Sequence, residues 1–367
     1  MVKAKLVIGL LAMGGGVLFS GSYEAMASEQ TKIDTSKKDS ATEPHLANIK
    51  QLTVGGKNAE AYFSFDGDRL IFQSTKDPAS GTLQDCYQMY VMDLNGENAY
   101  RVSTGYGETT CGYFYKGGRR VLFSSTHAAD LKCPPKPERT KNYRWALDDY
   151  DIYSVRIDGR EMQRLTATAG YDAEATISPD GRKIVFTSVR DGDIDLYSMD
   201  NDGKRVKRLT AEVGYDGGAF YSPDSKRIVY RAQHPQNPED LQAYNDLLAK
   251  NLVEPGNLEI FVMNADGSEK RAVTSNGASN FAPFFHFDGR RIIFSSDLSD
   301  PPDHKGRPSF HLHLVNDDGS GMEQITVEGH FNSFPMFSPD GKKLVWVSDR
   351  NTTARGEFNV FLADWVP

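Results

Sequence analysis

Ser178-Pro179-Asp180-Gly181-Arg182-Lys183-Ile184-Val185-Phe186-Thr187-Ser188 is a tight polar turn followed by an apolar, β-branched run that ends in hydroxyl residues. The same pattern recurs five more times, centred on Asp66, Gly117, Asp224, Asp288 and Asp340. The intervals between successive turn positions are 51, 63, 44, 64 and 52 residues. A repeat of this length means an array of supersecondary units, each too small to bury its own apolar face. The shortest interval is the bare unit, and the others carry insertions.

Four strands fit within one unit. In the third, Ala173 to Ile177 forms strand A, Lys183 to Ser188 strand B, Asp195 to Asp200 strand C and Val206 to Thr210 strand D. Asn201-Asp202-Gly203 is a hairpin turn of the Asp-Gly type between the last two. Pro and Gly fall at the turns, where their backbone preferences help. Four antiparallel strands repeated six times predict an all-β, six-bladed β-propeller. Five units end in a similar strand D. The sixth stops after strand C, at Asn359 to Leu362, and the missing strand stands at the other end of the chain as Ile49 to Thr53. The last blade is therefore expected to close with an N-terminal strand, which removes exposed sheet edges.

The first residues read as an export signal. Lys3 and Lys5 precede an apolar stretch from Leu6 to Phe19, and Ala25-Met26-Ala27 fits a cleavage site. The expected organisation is a signal peptide over 1–27, a flexible polar leader over 28–47 and a propeller over 48–367. This implies a periplasmic or secreted protein without a membrane span after cleavage. The net charge is −8 and the 42 Lys and Arg are dispersed, so nucleic acid is not an expected partner. Of Cys86, Cys111 and Cys133, two can pair in an oxidising compartment, and the sequence does not say which.

Strand direction alternates, so the D–A and B–C connections share one face of the ring. Every long insertion falls in a B–C connection: Lys76 to Asp85, Ala128 to Asp149, Gln233 to Asn257 with a helix over Asp240 to Leu252, and Leu298 to Ser309. Long loops on a rigid scaffold are where binding usually resides. The A–B and C–D turns of the other face are short and uniform.

Eight residues before each turn position stand Asn58, Thr109, Asp172, Asp216, Asn280 and Asn332, and six before stand Glu60, Cys111, Glu174, Gly218, Ala282 and Phe334. Residues of equal parity on a strand face the same way. Glu60, Asp172, Glu174, Asp216, Asn280 and Asn332 are therefore the candidate ligand-binding residues at the channel mouth. The plainer alternative is that these groups start each innermost strand and bond neighbouring backbone. Ten residues after the turns stand His127, Arg190 and His234, a candidate metal or anion site if they meet a mouth carboxylate. No nucleophile elbow, His-Glu-x-x-His or phosphate-binding glycine loop is present.

The six units, with Ser-Pro-Asp-Gly-Arg-Lys-Ile-Val-Phe and Ile260-Phe261-Val262-Met263-Asn264-Ala265-Asp266-Gly267, resemble the WD40-like (PD40) repeats of the TolB propeller family. The resemblance runs from about Ile49 to Trp365. The same repeat occurs in propellers of prolyl-oligopeptidase-type peptidases and some polysaccharide lyases. TolB is a periplasmic protein that binds envelope partners through its channel-mouth face and carries an α/β domain before the propeller, whereas this chain resembles stand-alone exported forms. The resemblance implies a docking face that includes Glu60, Asp172, Glu174 and Asp216.

The expected function is a non-catalytic binding module for an envelope or periplasmic protein, peptide or glycan, acting as a monomer without a cofactor. The alternative is a metal-assisted lyase or hydrolase on an acidic saccharide. There His127, His234 and a mouth carboxylate would hold a divalent cation and Arg190 would receive the substrate carboxylate.

Overall fold

Six four-stranded antiparallel sheets build the protein in a computed structural model, which describes residues 42–138, 140, 143–300, 307–352 and 354–367. Blade 3 sets the pattern: strand A is Asp172–Ile177, B is Lys183–Ser188, C is Asp195–Asp200 and D is Lys207–Arg208. Strands B and C match the sequence reading residue for residue. Strand D is shorter than expected, with two paired residues, and so are its counterparts in blades 1, 2, 4 and 5. After each comes a Thr or Ser hydroxyl that accepts from a backbone N–H of strand C, as Thr210 does from Leu196 at 2.9 Å.

The expected closure is present. Leu46–Gln51 pairs antiparallel with Asn359–Trp365, so blade 6 takes its outer strand from the N-terminal side and three strands from the C-terminal side. Part of the segment expected to be leader belongs to this closure. The carboxylate of Glu43 is buried against the Arg350 guanidinium, and His45 stacks on Trp365 with ring centres 5.0 Å apart. The expected export signal and the leader up to residue 41 lie outside the described residues.

The insertions depart most from a plain propeller. Helix α1, Pro238–Leu248, starts earlier than expected because Asn237 caps it by accepting from the Asp240 N–H and Pro238 occupies the first turn. It also ends earlier, and Asn251 takes a left-handed conformation, φ 54°. Leu252–Val253 then pairs with Trp145–Ala146, so the insertions of blades 2 and 4 join in a two-stranded arch that passes over blade 3. Beneath the arch, Leu147, Tyr150, Tyr171, Ile194, Tyr215 and Val253 form a small apolar core of their own. The main core lies between the blades, with Phe72, Phe123, Phe186, Phe294 and Trp346 fully buried. No described helix is long and apolar enough to cross a membrane.

Candidate functional site

Every innermost strand contains the same irregularity. Six residues before the turn, Glu60, Cys111, Glu174, Gly218, Ala282 and Phe334 all adopt φ between 49° and 61°. At each the pairing with strand B slips by one residue, as between Ala59 and Tyr62 in blade 1 or Ala173 and Thr176 in blade 3. This is a β-bulge repeated around the ring. Five of the six residues are not glycine, so the geometry is imposed by the propeller and not by local preference.

The bulge separates two sets of residues that simple alternation would place together. Residues before it are buried pins within a blade or between neighbouring blades. Asp172 accepts from Ser188 at 2.5 Å and from Arg190 at 3.0 Å. Asn280 accepts from Ser296 at 2.7 Å, and Asn332 accepts from Arg350 at 3.2 Å. Asn58 donates to backbone carbonyls at Gly55 and Phe358. Asp216 faces His234 at 3.2 Å, and its second oxygen is buried without a partner. Burial raises the Asp216 carboxyl, and the bond to Asp216 raises His234.

The possible metal or anion set is likewise divided among blades. His127 bonds Ser125 at 2.8 Å and lies 4.4 Å from the Tyr153 ring, both in blade 2. Arg190 lies over Phe186 and Tyr197 in blade 3. His234 is held in blade 4. Among the described residues, no three His, Cys, Asp or Glu side chains are placed to hold a metal ion.

Residues at and after the bulge converge on the axis. Glu60, Cys111, Glu174 and Arg231 come from four different blades yet act on one another electrostatically. Arg231 donates to Glu174 at 2.5 Å and to the Tyr215 hydroxyl at 2.8 and 3.0 Å. Glu174 also accepts from Thr187 at 2.8 Å and from the Gly218 N–H at 3.0 Å. Glu60 has no such partner in an ion pair among the described residues. Burial pushes its carboxyl up to about 7, the neighbouring Glu174 adds to this, and the Cys111 thiol and Arg231 oppose it. Burial also holds the Cys111 thiol neutral.

Two residues beyond the bulge, the axis is closed. Tyr62, Tyr113 and Phe220 touch one another with ring centres 5.3 to 6.1 Å apart, and Phe284 lies 5.3 Å from Phe220. Rings from blades 1, 2 and 4 can meet in this way only across the axis. Met336 of blade 6 completes the belt against the Phe63 N–H. Above this belt Glu60 and Glu174 keep part of their surface exposed, which leaves a recess at the axis, here called the well, on the insertion-bearing side.

The lip of the well has two characters. Over blades 5 and 6, Phe281, Phe310, Phe331, Phe334 and Phe358 form a chain of ring contacts. Over blades 1 to 4, the lip is Tyr, Trp and carboxylate. Trp145 of the arch packs edge-on against Tyr215 at 5.6 Å, and the Arg231 guanidinium lies 5.8 Å from the Trp145 ring. Tyr87, Tyr143 and Tyr150 surround Glu108, whose carboxyl is raised by burial. A disulfide between Cys86 and Cys133 ties the blade 2 insertion to blade 1, and Cys111 is free. Beside this disulfide lies a rim groove of about 510 Å³ that includes Leu83 and Leu131.

Of the sequence candidates, the structure brings Glu60 and Glu174 to the axis and leaves Asp172, Asp216, Asn280 and Asn332 as separate buried pins. Arg231, Tyr62, Tyr113, Phe220 and Trp145 were not anticipated. The belt was within reach, since residues four before each turn read Tyr62, Tyr113, Thr176, Phe220, Phe284 and Met336. Nothing in the sequence marks the Arg231–Glu174 pair or the arch.

Comparison with known proteins agrees with this architecture. TolB from Acinetobacter baumannii superimposes with a TM-score of 0.56 at 18% identity, covering 82% of this chain and 65% of that one. A structure from Agrobacterium tumefaciens assigned as TolB gives 0.57 at 19% identity, covering 87% and 97%. Oligogalacturonate lyase from Vibrio parahaemolyticus gives 0.50 at 16% identity, covering 87% and 93%. In sequence, a TolB homologue from Chlorobium luteolum is 44% identical over 45 residues, which is 12% of this chain and 10% of that protein. The TolB β-propeller domain family (PD40) matches residues 145–244 and 243–364, more than half of the chain, and the protein belongs to that family.

Proposed function

We propose that this chain is an exported, non-catalytic docking module whose insertion-bearing face receives a segment of an envelope or periplasmic protein, peptide or glycan in the axial well. One coincidence carries the reading. The well opens on the same face that displays the most exposed large apolar side chains. Val54, Leu83, Tyr106, Leu131, Tyr143 and Val213 are each more than half exposed there, and no large apolar side chain elsewhere in the described residues reaches half. Exposed apolar groups gathered on one face mark an interaction surface. Membership of the TolB propeller family supports a binding propeller. The Cys86–Cys133 disulfide supports an oxidising compartment such as the periplasm or the exterior.

The reading of a metal-assisted lyase or hydrolase on an acidic saccharide draws on likeness to the Vibrio lyase, which is a likeness of fold alone. It also needs His127 and His234 to share an ion, while each is bonded within its own blade.

The docking reading is tested by filling the well. Ala282 occupies the bulge position that Phe334 occupies in the next blade, so the backbone there accommodates a large ring. Ala282→Phe is expected to reduce co-purification of the native envelope partner at least tenfold while leaving the unfolding midpoint within a few degrees. Undiminished co-purification with folded Ala282→Phe protein would remove the well from the docking site.

A further inference from the structure

We propose that His234 is a pH-operated latch: its imidazolium pins the connection between blades 3 and 4, and loss of its proton loosens the blade 4 insertion that carries α1. The latch is independent of what the insertion-bearing face binds.

A comparison among the blades points to it. In blades 1, 2, 3, 5 and 6, the residue eight before the turn is paired in the sheet with a serine of strand B: Ser74, Ser125, Ser188, Ser296 and Ser348. In blade 4 the partner of Asp216 is Ala232. Blade 3 pins its carboxylate fully, since Asp172 accepts from Ser188 and from Arg190 at 3.0 Å on each oxygen. Blade 4 keeps the carboxylate but has Ala232 for the serine and His234 for the arginine. One oxygen of Asp216 is accordingly buried without a partner. Arginine keeps its charge at any working pH, whereas histidine changes its charge near neutrality.

The ring of His234 faces a carboxylate on both sides. Its Nε2 lies 3.2 Å from Asp216 and its Nδ1 lies 3.6 Å from Glu212. A neutral imidazole offers one N–H and one lone pair, so one carboxylate would meet a lone pair. An imidazolium offers a proton to both. Asp193 of blade 3 adds its negative charge to this side, and the Phe261 ring lies 5.9 Å away. Thr210, Asp195 and Tyr230 face Asp216. The nearby cation Arg208 is engaged by Asp195 at 2.5 Å.

What the latch fastens follows from the chain path. Glu212 to Asp216 lies in the connection between blades 3 and 4, and residue 234 stands where the blade 4 insertion leaves strand B. A Cβ on Gly214 would stand 2.8 Å from the His234 ring, so ring and connection are in close contact. Tyr244 of α1 donates to the Gly214 carbonyl at 2.8 Å and to Asp193. No α1 side chain is fully buried, and an element with so little buried surface opens locally at low cost. Losing the imidazolium charge therefore loosens both the root of the insertion and the seat of Tyr244.

The bond to Asp216 and the charges of Asp216, Glu212 and Asp193 raise His234 above the ordinary 6.5, against burial. The latch is therefore complete below pH 6.5 and is lost as pH rises through the raised value. Burial also raises Asp216, which acts in the same direction.

Hydrogen exchange at pH 6 and pH 8.5, expressed as protection relative to intrinsic rates, tests the latch. Protection of the α1 amides and of Leu252 and Val253 should fall severalfold at pH 8.5. His234→Arg, which copies the blade 3 pin, should keep high protection at both pH values. His234→Gln should show low protection at both. Glu60→Gln removes the other carboxyl that titrates near pH 7 and should leave the loss in place. Equal protection at the two pH values in the parent protein would overturn the latch, and this comparison needs no variant. So would the same loss in folded His234→Arg, high protection at pH 6 in His234→Gln, or disappearance of the loss in Glu60→Gln.

Discussion

Arg231 of blade 4 reaches across the blade boundary to Glu174 of blade 3, with nitrogen and oxygen 2.5 Å apart and both side chains largely buried. The pair explains two glycines. A Cβ on Gly217 would stand 2.3 Å from the Tyr215 hydroxyl and 2.7 Å from the Glu174 carboxylate. A Cβ on Gly218 would stand 3.1 Å from the Arg231 guanidinium. Removing Arg231 leaves a buried carboxylate without its cation, which costs about 3–5 kcal/mol. Urea unfolding of Arg231→Met should show a loss of that order, and Gly217→Ala a loss of about 2 kcal/mol. Unchanged midpoints would mean that the pair is not formed in solution.

Ring closure depends on a second buried pair. Glu43 and Arg350 meet through two oxygens and two nitrogens at 3.0 and 3.1 Å. Glu43 also accepts from the backbone N–H groups of Val327 and Glu328. Glu43→Ala would strand the Arg350 guanidinium and two backbone donors at once, so the expected cost is about 3–5 kcal/mol. Blade 6 should lose amide protection before the other blades in hydrogen exchange. Uniform protection across the six blades would show that the N-terminal strand closes the ring without this pair.

The disulfide assignment predicts a thiol count. Unfolded, unreduced protein should react with one maleimide, at Cys111, and with three after reduction. The bridge spans 47 residues, and closing a loop of that size contributes up to about 4 kcal/mol. Cys86→Ser with Cys133→Ser should lower stability by an amount of that order, while Cys111→Ser should not. Three free thiols before reduction would contradict the pairing.

Glu60 also predicts a pH dependence. Its folded-state pKa of about 7 lies above the ordinary 4.5, so the folded protein holds a proton that the unfolded chain has released. The sign follows: stability is greatest below pH 4.5 on this account and is lost as pH rises towards 7. The full shift corresponds to at most about 3 kcal/mol. Glu60→Gln should flatten this part of the pH profile and be more stable than the parent protein at pH 8. A profile identical to the parent would show that Glu60 is not held in this environment.

The fold was legible because each unit repeats its turn chemistry and its apolar run, and the displaced strand, expected over Ile49 to Thr53 and found three residues earlier at its start as Leu46–Gln51, carries the missing pattern. Strand D was overextended, because Val206 to Thr210 reads as a strand while only Lys207 and Arg208 pair. The candidate site was legible only in part. Asn58 and Glu60 share parity, as do Asp172 and Glu174, and alternation puts each pair on one side. The bulge between them cancels that rule, burying Asn58 against the neighbouring blade and Asp172 within its own, and turning Glu60 and Glu174 to the axis. Arg231 and Trp145 reach the well through long-range pairing, of Arg231 with Glu174 and of the blade 2 and blade 4 insertions, which no local pattern records.

Site-specific photo-crosslinking in the native envelope tests the central claim that the insertion-bearing face is the docking surface. A benzophenone side chain would be placed at Val54, Leu131 or Val213 on that face, and at Val206 or Met322 on the other. All five positions are exposed, so the label should not disturb the core. The account predicts a discrete adduct from the first three positions, lost when Ala282→Phe is added, and none from the last two. Adducts confined to Val206 and Met322, or absent from all five, would contradict it.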